Sequence, residues 1–146
     1  MTPFVPKNIL LMPNAAVPKA SLLADRISAC LKTHNVNHNI FCYDYENPTQ
    51  LPHIEGHDLI IVIGGDGTLL RAGHFCAPLD IPLLGVQAGR LSFLVELNEI
   101  DIESNLKRLL SADYRLERRM MLQAEFLENG NVIQRWDVIN EALISR

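Results

Sequence analysis

The sequence predicts an α/β fold, a parallel sheet in a three-layer arrangement, followed by the start of an antiparallel β domain. Three observations predict it. Asp58-Leu-Ile-Ile-Val-Ile63 is an almost wholly apolar run rich in Ile and Val, the pattern of a strand buried on both faces of a parallel sheet. That run opens directly into Gly64-Gly65-Asp66-Gly67-Thr68, a glycine loop of the kind that carries a chain from a strand into a helix over a phosphate. Strand-like and helix-like segments then alternate along most of the chain, which implies right-handed βαβ crossovers.

Taken in order, Lys7-Asn-Ile-Leu-Leu-Met12 reads as the first strand and Pro13-Asn14 turns the chain. Lys19 to Lys32 has helical spacing, with Leu22, Leu23, Ile27 and Leu31 on or near one face. His38 to Tyr43 is a second strand, and Asp44 to His57, polar and holding Pro48 and Pro52, is a connection. The buried strand and glycine loop follow. Thr68 falls where a helix N-cap belongs, and Leu69 to Ala77 reads as a helix weakened by Gly73 and stopped by Pro78. Ile81 to Val86 is a fourth strand, Gln87 to Leu94 a second glycine-containing connection, and Asp101 to Leu110 a helix with Ile102, Leu106, Leu109 and Leu110 on its apolar face. Beyond Ala112 the period changes. Arg119 to Leu127 and Val132 to Val138 flank Glu128-Asn-Gly-Asn131, which predicts an antiparallel hairpin. Residues 1–114 are therefore read as the α/β domain and 115–146 as the start of a truncated β domain, with little core of its own.

With 146 residues, 48% of them hydrophobic and 21% charged, the chain is long enough to bury a real core. Its net charge of −4 and the lack of a strong basic patch argue against nucleic acid as a partner. Apolar stretches fall far short of a membrane span, and the N-terminus shows no signal-peptide pattern. Cys30, Cys42 and Cys76 have no metal-site spacing and read as reduced thiols of a cytoplasmic protein. The five histidines form no metal-ligand pattern.

The loop at 64–68 carries the chemistry. Gly64, Gly65 and Gly67 put no Cβ between backbone N–H groups and a polyanion, and the following helix N-terminus favours negative charge. Asp66 is the odd member. A carboxylate beside phosphates is repelled unless it holds a metal ion, accepts a hydrogen bond or takes up a proton, so it is a candidate general base. Ordinary turn chemistry, with Asp as a local cap, would leave the same pattern. The spacing matches neither a Walker A loop nor Gly-x-Gly-x-x-Gly, so a nicotinamide oxidoreductase is disfavoured.

Four segments together carry a resemblance: Gly-Gly-Asp-Gly-Thr-Leu-Leu-Arg (64–71), Gly-Val-Gln-Ala-Gly-Arg-Leu-Ser-Phe-Leu (85–94), Glu-Arg-Arg-Met-Met-Leu (117–122) and Asn140-Glu141. The chain resembles the NAD kinases, from Lys7 to Arg146. The first segment alone is shared with lipid kinases and, loosely, with phosphofructokinases; the other segments narrow it. Departures are Gln87, where the family often has Asn, and Ser92, where it often has Gly. The resemblance implies an N-terminal α/β domain beside a C-terminal β domain, with NAD between them. It implies Mg²⁺ or another divalent cation, ATP or polyphosphate as donor, NAD and ATP as bound partners, and a homo-oligomer. Asp66 would activate the adenosine ribose 2′-hydroxyl. The backbone of Gly65, Asp66, Gly67 and Thr68 would line the nucleotide, Leu69 would touch the adenine, Arg71 would lie close by, and Asn140 and Glu141 would hold the adenosine ribose and base. A second reading keeps the fold without the chemistry: a non-catalytic nucleotide-binding module that needs a partner.

Overall fold

The computed structural model describes residues 2–44, 52–89, 92–95 and 97–139. It divides into two compact units, Met1–Leu116 and Glu117–Arg146. In the first, β1 (Asn8–Pro13), β2 (Asn37–Ile40), β3 (Leu59–Gly64) and β4 (Leu83–Gln87) form a four-stranded sheet in the order β2-β1-β3-β4. Every pairing is parallel. The helices are α1 (Pro18–Thr33), α2 (Asp66–Cys76) and α3 (Ile102–Leu110).

Alternation along the strands sorts the core into two layers, because successive side chains point to opposite faces. Ile9, Leu11, Ile61, Ile63 and Val86 face one side and pack against Leu23, Ile27 and Leu31 of α1 and Ile102, Leu106 and Leu109 of α3. Leu10, Met12, Ile60 and Val62 face the other side, against Ala72 and Cys76 of α2. Every residue of β3 is buried. The three-layer architecture expected from the sequence is thus present. At the entry edge the Asp58 carboxylate accepts from the Lys7 and Asn8 amides at 2.8 and 3.1 Å, pinning β1 to β3. Tyr114 Oη donates to the Phe4 carbonyl at 2.7 Å and accepts from its amide at 3.0 Å, tying the residues after α3 back to the N-terminal segment.

Both α1 and α3 end in the same way. Asn35 and Ala112 take positive φ, 55° and 56°, and the residues after them, Val36 and Asp113, donate back to Leu31 and Arg108. These are Schellman closures, which satisfy terminal carbonyls. Leu22, expected near the core face of α1, is 69% exposed; the buried stripe is Ala20, Leu23, Ala24, Ile27 and Leu31. Strand β2 stops at Ile40, short of the expected Tyr43, although the Phe41 and Tyr43 amides still donate to Leu11 and Pro13 at 2.9 and 2.8 Å.

The second unit is an antiparallel hairpin of β5 (Leu122–Glu128) and β6 (Asn131–Val138), with a register shift at Phe126/Leu127. Asn129 and Gly130 take the positive φ that its tight turn requires. One face carries Leu122, Ala124, Phe126, Trp136 and Val138; Glu125 and Arg135 pair on the other at 2.7 Å. Residues 140–146 lie outside the described residues. Among the described residues no helix is long and apolar enough to cross a membrane.

Packing of α2 against the sheet makes a prediction about thiols. Cys76 is buried, and burial pushes its thiol up to about 12, whereas Cys42 is exposed. Since the thiolate is the reactive form, alkylation of the native protein at mildly alkaline pH should modify Cys42 first and Cys76 only after unfolding. Peptide mass spectrometry reads the order; equal rates would mean that α2 is not seated as described.

Candidate functional site

From β1 the chain runs out to β2, then returns across β1 to lay down β3 and β4 on the other side. The direction of build therefore reverses between β1 and β3. In open α/β sheets, ligands bind at the carboxyl ends of the strands where such a reversal opens a crevice. Asn14 follows β1 there, and Gly64, Gly65 and Asp66 close β3 and begin α2.

Helix α2 starts at Asp66, three residues earlier than its apolar spacing suggests, with Gly65 in extended conformation as N-cap. Thr68 is consequently not the N-cap. It is the third helical residue, and it is buried. Gly is an accepted N-cap residue, which frees Thr68 to turn inward. Its Oγ1 accepts from Asn14 Nδ2 at 3.2 Å. Its side chain also occupies the space where a Cβ on Gly64 would stand. Asn14 is held twice more: its amide donates to the Ile63 carbonyl at 2.9 Å, and its Oδ1 accepts from the Ala16 amide at 3.0 Å. Asn14 read as a mere turn residue in the sequence; its role depends on β1 and β3 lying side by side, which no local pattern announces.

The Asp66 carboxylate faces the second glycine-bearing connection. Oδ1 accepts from the Ser92 hydroxyl and from the Leu94 amide at 2.9 Å; Oδ2 accepts from the Phe93 amide at 3.1 Å. The Ser92 hydroxyl first, then these two amides, hold its proton affinity below the ordinary carboxylate range, so Asp66 is ionised at neutral pH. The connection is itself anchored. The Gln87 amide donates to the Leu97 carbonyl at 2.7 Å, and the Leu97 amide to the Gly85 carbonyl at 3.3 Å. A Cβ on Gly85 would meet the Val95 methyls at 3.1 and 3.2 Å, so glycine is what lets this segment lie on β4.

Of the other expected residues, Gly65 and Gly67 have open space where a side chain would project. Leu69 is half-buried and packs toward the α2 side of the sheet, and Arg71 is exposed. Asn140 and Glu141 lie outside the described residues. Phe93, 90% exposed beside the carboxylate, was not singled out by its sequence, where it stands as one member of the glycine-containing connection from Gln87 to Leu94. Among the described residues no group of three or more His, Cys, Asp or Glu side chains gathers to hold a metal ion.

The loop glycines should separate on mutation. Gly64→Ala forces its methyl into Thr68 and should cost about 1–3 kcal/mol of stability, read by denaturant unfolding. Gly67→Ala meets nothing and sits in a helix, where Ala is favoured over Gly by roughly 0.5–1 kcal/mol; it should stabilise the fold while weakening any ligand that closes on that backbone. A destabilised Gly67→Ala would overturn this account of the loop.

Residues 14–114 match the family described as the ATP-NAD kinase N-terminal domain. The NAD kinase of Heliobacterium modesticaldum is 42% identical over 89 residues, covering 61% of this chain and 31% of that protein. The NAD kinase of Treponema denticola is 29% identical over 140 residues, 95% of this chain and 49% of that protein. The crystal structure of yeast NADH kinase complexed with NADH superposes with a TM-score of 0.69 at 18% identity, over 92% of this chain and 47% of that one, which shows the shared fold. The chain spans half or less of the length of these relatives. With its glycine loop, its reversal point and a family match over most of its length, the chain belongs to the NAD kinase family.

Proposed function

We propose that this chain supplies the catalytic carboxylate and the phosphate-facing loop of an NAD 2′-kinase, which phosphorylates the adenosine ribose 2′-hydroxyl of NAD at the expense of ATP or polyphosphate. The observation that carries the proposal is an ionised carboxylate, Asp66, on the first turn of a glycine-capped helix at the reversal point of the sheet. Membership of the family, and relatives named as NAD kinases, support it.

In this reading the 2′-hydroxyl oxygen attacks the terminal phosphorus of the donor. An O–P bond forms, the bond from phosphorus to the leaving phosphate oxygen breaks, and the hydroxyl proton passes to Asp66. Phosphoryl transfer needs positioning and charge neutralisation more than covalent help. The Thr68 and Leu69 amides donate to the Gly65 carbonyl at 3.0 and 3.1 Å, which leaves the amides of Gly65, Asp66 and Gly67 ahead of them at the positive end of the helix dipole. Those amides would receive phosphate oxygens, and Leu69 and the exposed Phe93 ring would offer apolar surface to the base. Arg71, Asn140 and Glu141 would complete the nucleotide contacts. A divalent cation would be carried on the donor's phosphates, where it would offset their charge. A cytoplasmic location and a homo-oligomer fit this reading and belong to the same proposal.

The second reading, a binding module without chemistry, is favoured by one fact: the Asp66 carboxylate accepts from the Ser92 hydroxyl and from the Phe93 and Leu94 amides, as a structural clasp would. Titration calorimetry of NAD, with NADP formation assayed on the same sample, separates the two. Asp66→Asn should lower NADP formation by about 10²–10⁴-fold, the usual contribution of a general base, with circular dichroism unchanged. Unimpaired turnover in that variant would remove Asp66 from the mechanism. Binding without turnover in the parent chain would favour the module.

A further inference from the structure

The two oxygens of the Asp66 carboxylate are not equivalent. Each has about two acceptor positions. Oδ1 takes two donors, the Ser92 hydroxyl and the Leu94 amide, while Oδ2 takes one among the described residues, the Phe93 amide. The direction of the Ser92 hydrogen bond is settled by its surroundings. Its Oγ accepts from the Val95 amide at 3.3 Å, and an amide can only donate. An ionised carboxylate can only accept, so the single hydroxyl proton of Ser92 points at Oδ1. The loop that delivers these donors is fixed by Val95 against Gly85 and by the bonds between Leu97 and β4.

We infer that Ser92 is a positioning residue for Asp66: its hydroxyl saturates Oδ1 and leaves Oδ2 as the oxygen that receives the proton of the incoming substrate hydroxyl. This deepens the catalytic reading above and relies on it only for the identity of that hydroxyl. Removing the Ser92 hydroxyl opens an acceptor position on Oδ1, weakens the stabilisation of the ionised form, and leaves the two oxygens alike, each with one amide.

The test is a carboxyl-carbon NMR titration of Asp66 in the whole chain and in its Ser92→Ala and Ser92→Thr variants, with the Phe93 and Leu94 amide resonances followed in parallel. Expected is an upward move of the Asp66 titration in Ser92→Ala, because a donor to the charged form is lost. Return toward the parent value in Ser92→Thr, which keeps the hydroxyl, is also expected. An Asp66 titration in Ser92→Ala identical to the parent would overturn the inference. So would an equal shift in Ser92→Thr, which would assign the effect to loop packing. Neither readout needs turnover. If the parent chain makes no NADP, the kinase reading of this chain fails while the placement of Ser92 is still decided. If it does, Ser92→Ala should lower kcat with little change in KM; a rise in KM alone would make Ser92 a binding residue and overturn the positioning role.

Discussion

The contact on which the rest of the site depends is the approach of Thr68 to the backbone of Gly64. Strand β3 is buried along its whole length, so its end is fixed to the extent that the core is packed. Thr68 closes over that end only because Gly64 carries no Cβ, and its hydroxyl is taken by Asn14 from the neighbouring strand. The first turn of α2 is thereby pressed onto β3 and β1 together. Were the turn lifted by the width of a methyl group, Asp66 would move with it, since it begins the same helix. Burial of apolar strands, worth about 25 cal/mol per Å², thus becomes positional accuracy for one carboxylate.

A second tie uses the opposite logic. Asp66 reaches away from the core, and it collects donors from a segment whose amides would otherwise need water. One carboxylate thus joins the two glycine-bearing segments, the loop after β3 and the connection after β4. The bonds are reciprocal in effect: the amides of Phe93 and Leu94 gain acceptors, and the carboxylate gains a preference for its charged state. Gly85 is the distant condition for this, because only a bare backbone there lets Val95 lie close enough to bring the segment in.

What the sequence made legible follows the range of the interactions involved. Strand β3 was readable because two-sided burial writes a continuous apolar run, and the hairpin because Asn129 and Gly130 must take positive φ. The start of α2 was misplaced because glycines hide helical residues from any count of apolar spacing, and Thr68 was therefore read as a cap rather than a buried contact. Leu22 was read on or near the apolar face from its helical spacing with Leu23, Ile27 and Leu31, although it sits beside the stripe defined by Ala20, Leu23, Ala24, Ile27 and Leu31. Asn14 and Ser92 could not be assigned from local pattern. Each acts on a residue far along the chain, 54 positions from Asn14 to Thr68 and 26 from Ser92 to Asp66, and only the strand order brings them together.

The arrangement also answers an electrostatic problem that the glycine loop poses. A helix N-terminus draws negative charge, about half an elementary charge's worth of dipole end, and a carboxylate on the first turn would naturally take that place for itself. It would then compete with a phosphate for the same amides. Here the carboxylate is supplied with donors from elsewhere, the Ser92 hydroxyl and the amides of Phe93 and Leu94. Its charge is stabilised without drawing on the helix end, and Gly65 and Gly67 keep the space over that end open. A phosphate received by the start of α2, as proposed above, would then stand beside a carboxylate held by the connection after β4. That separation is what a phosphoryl transfer with a carboxylate base requires, since the base must remain charged while the phosphates are close.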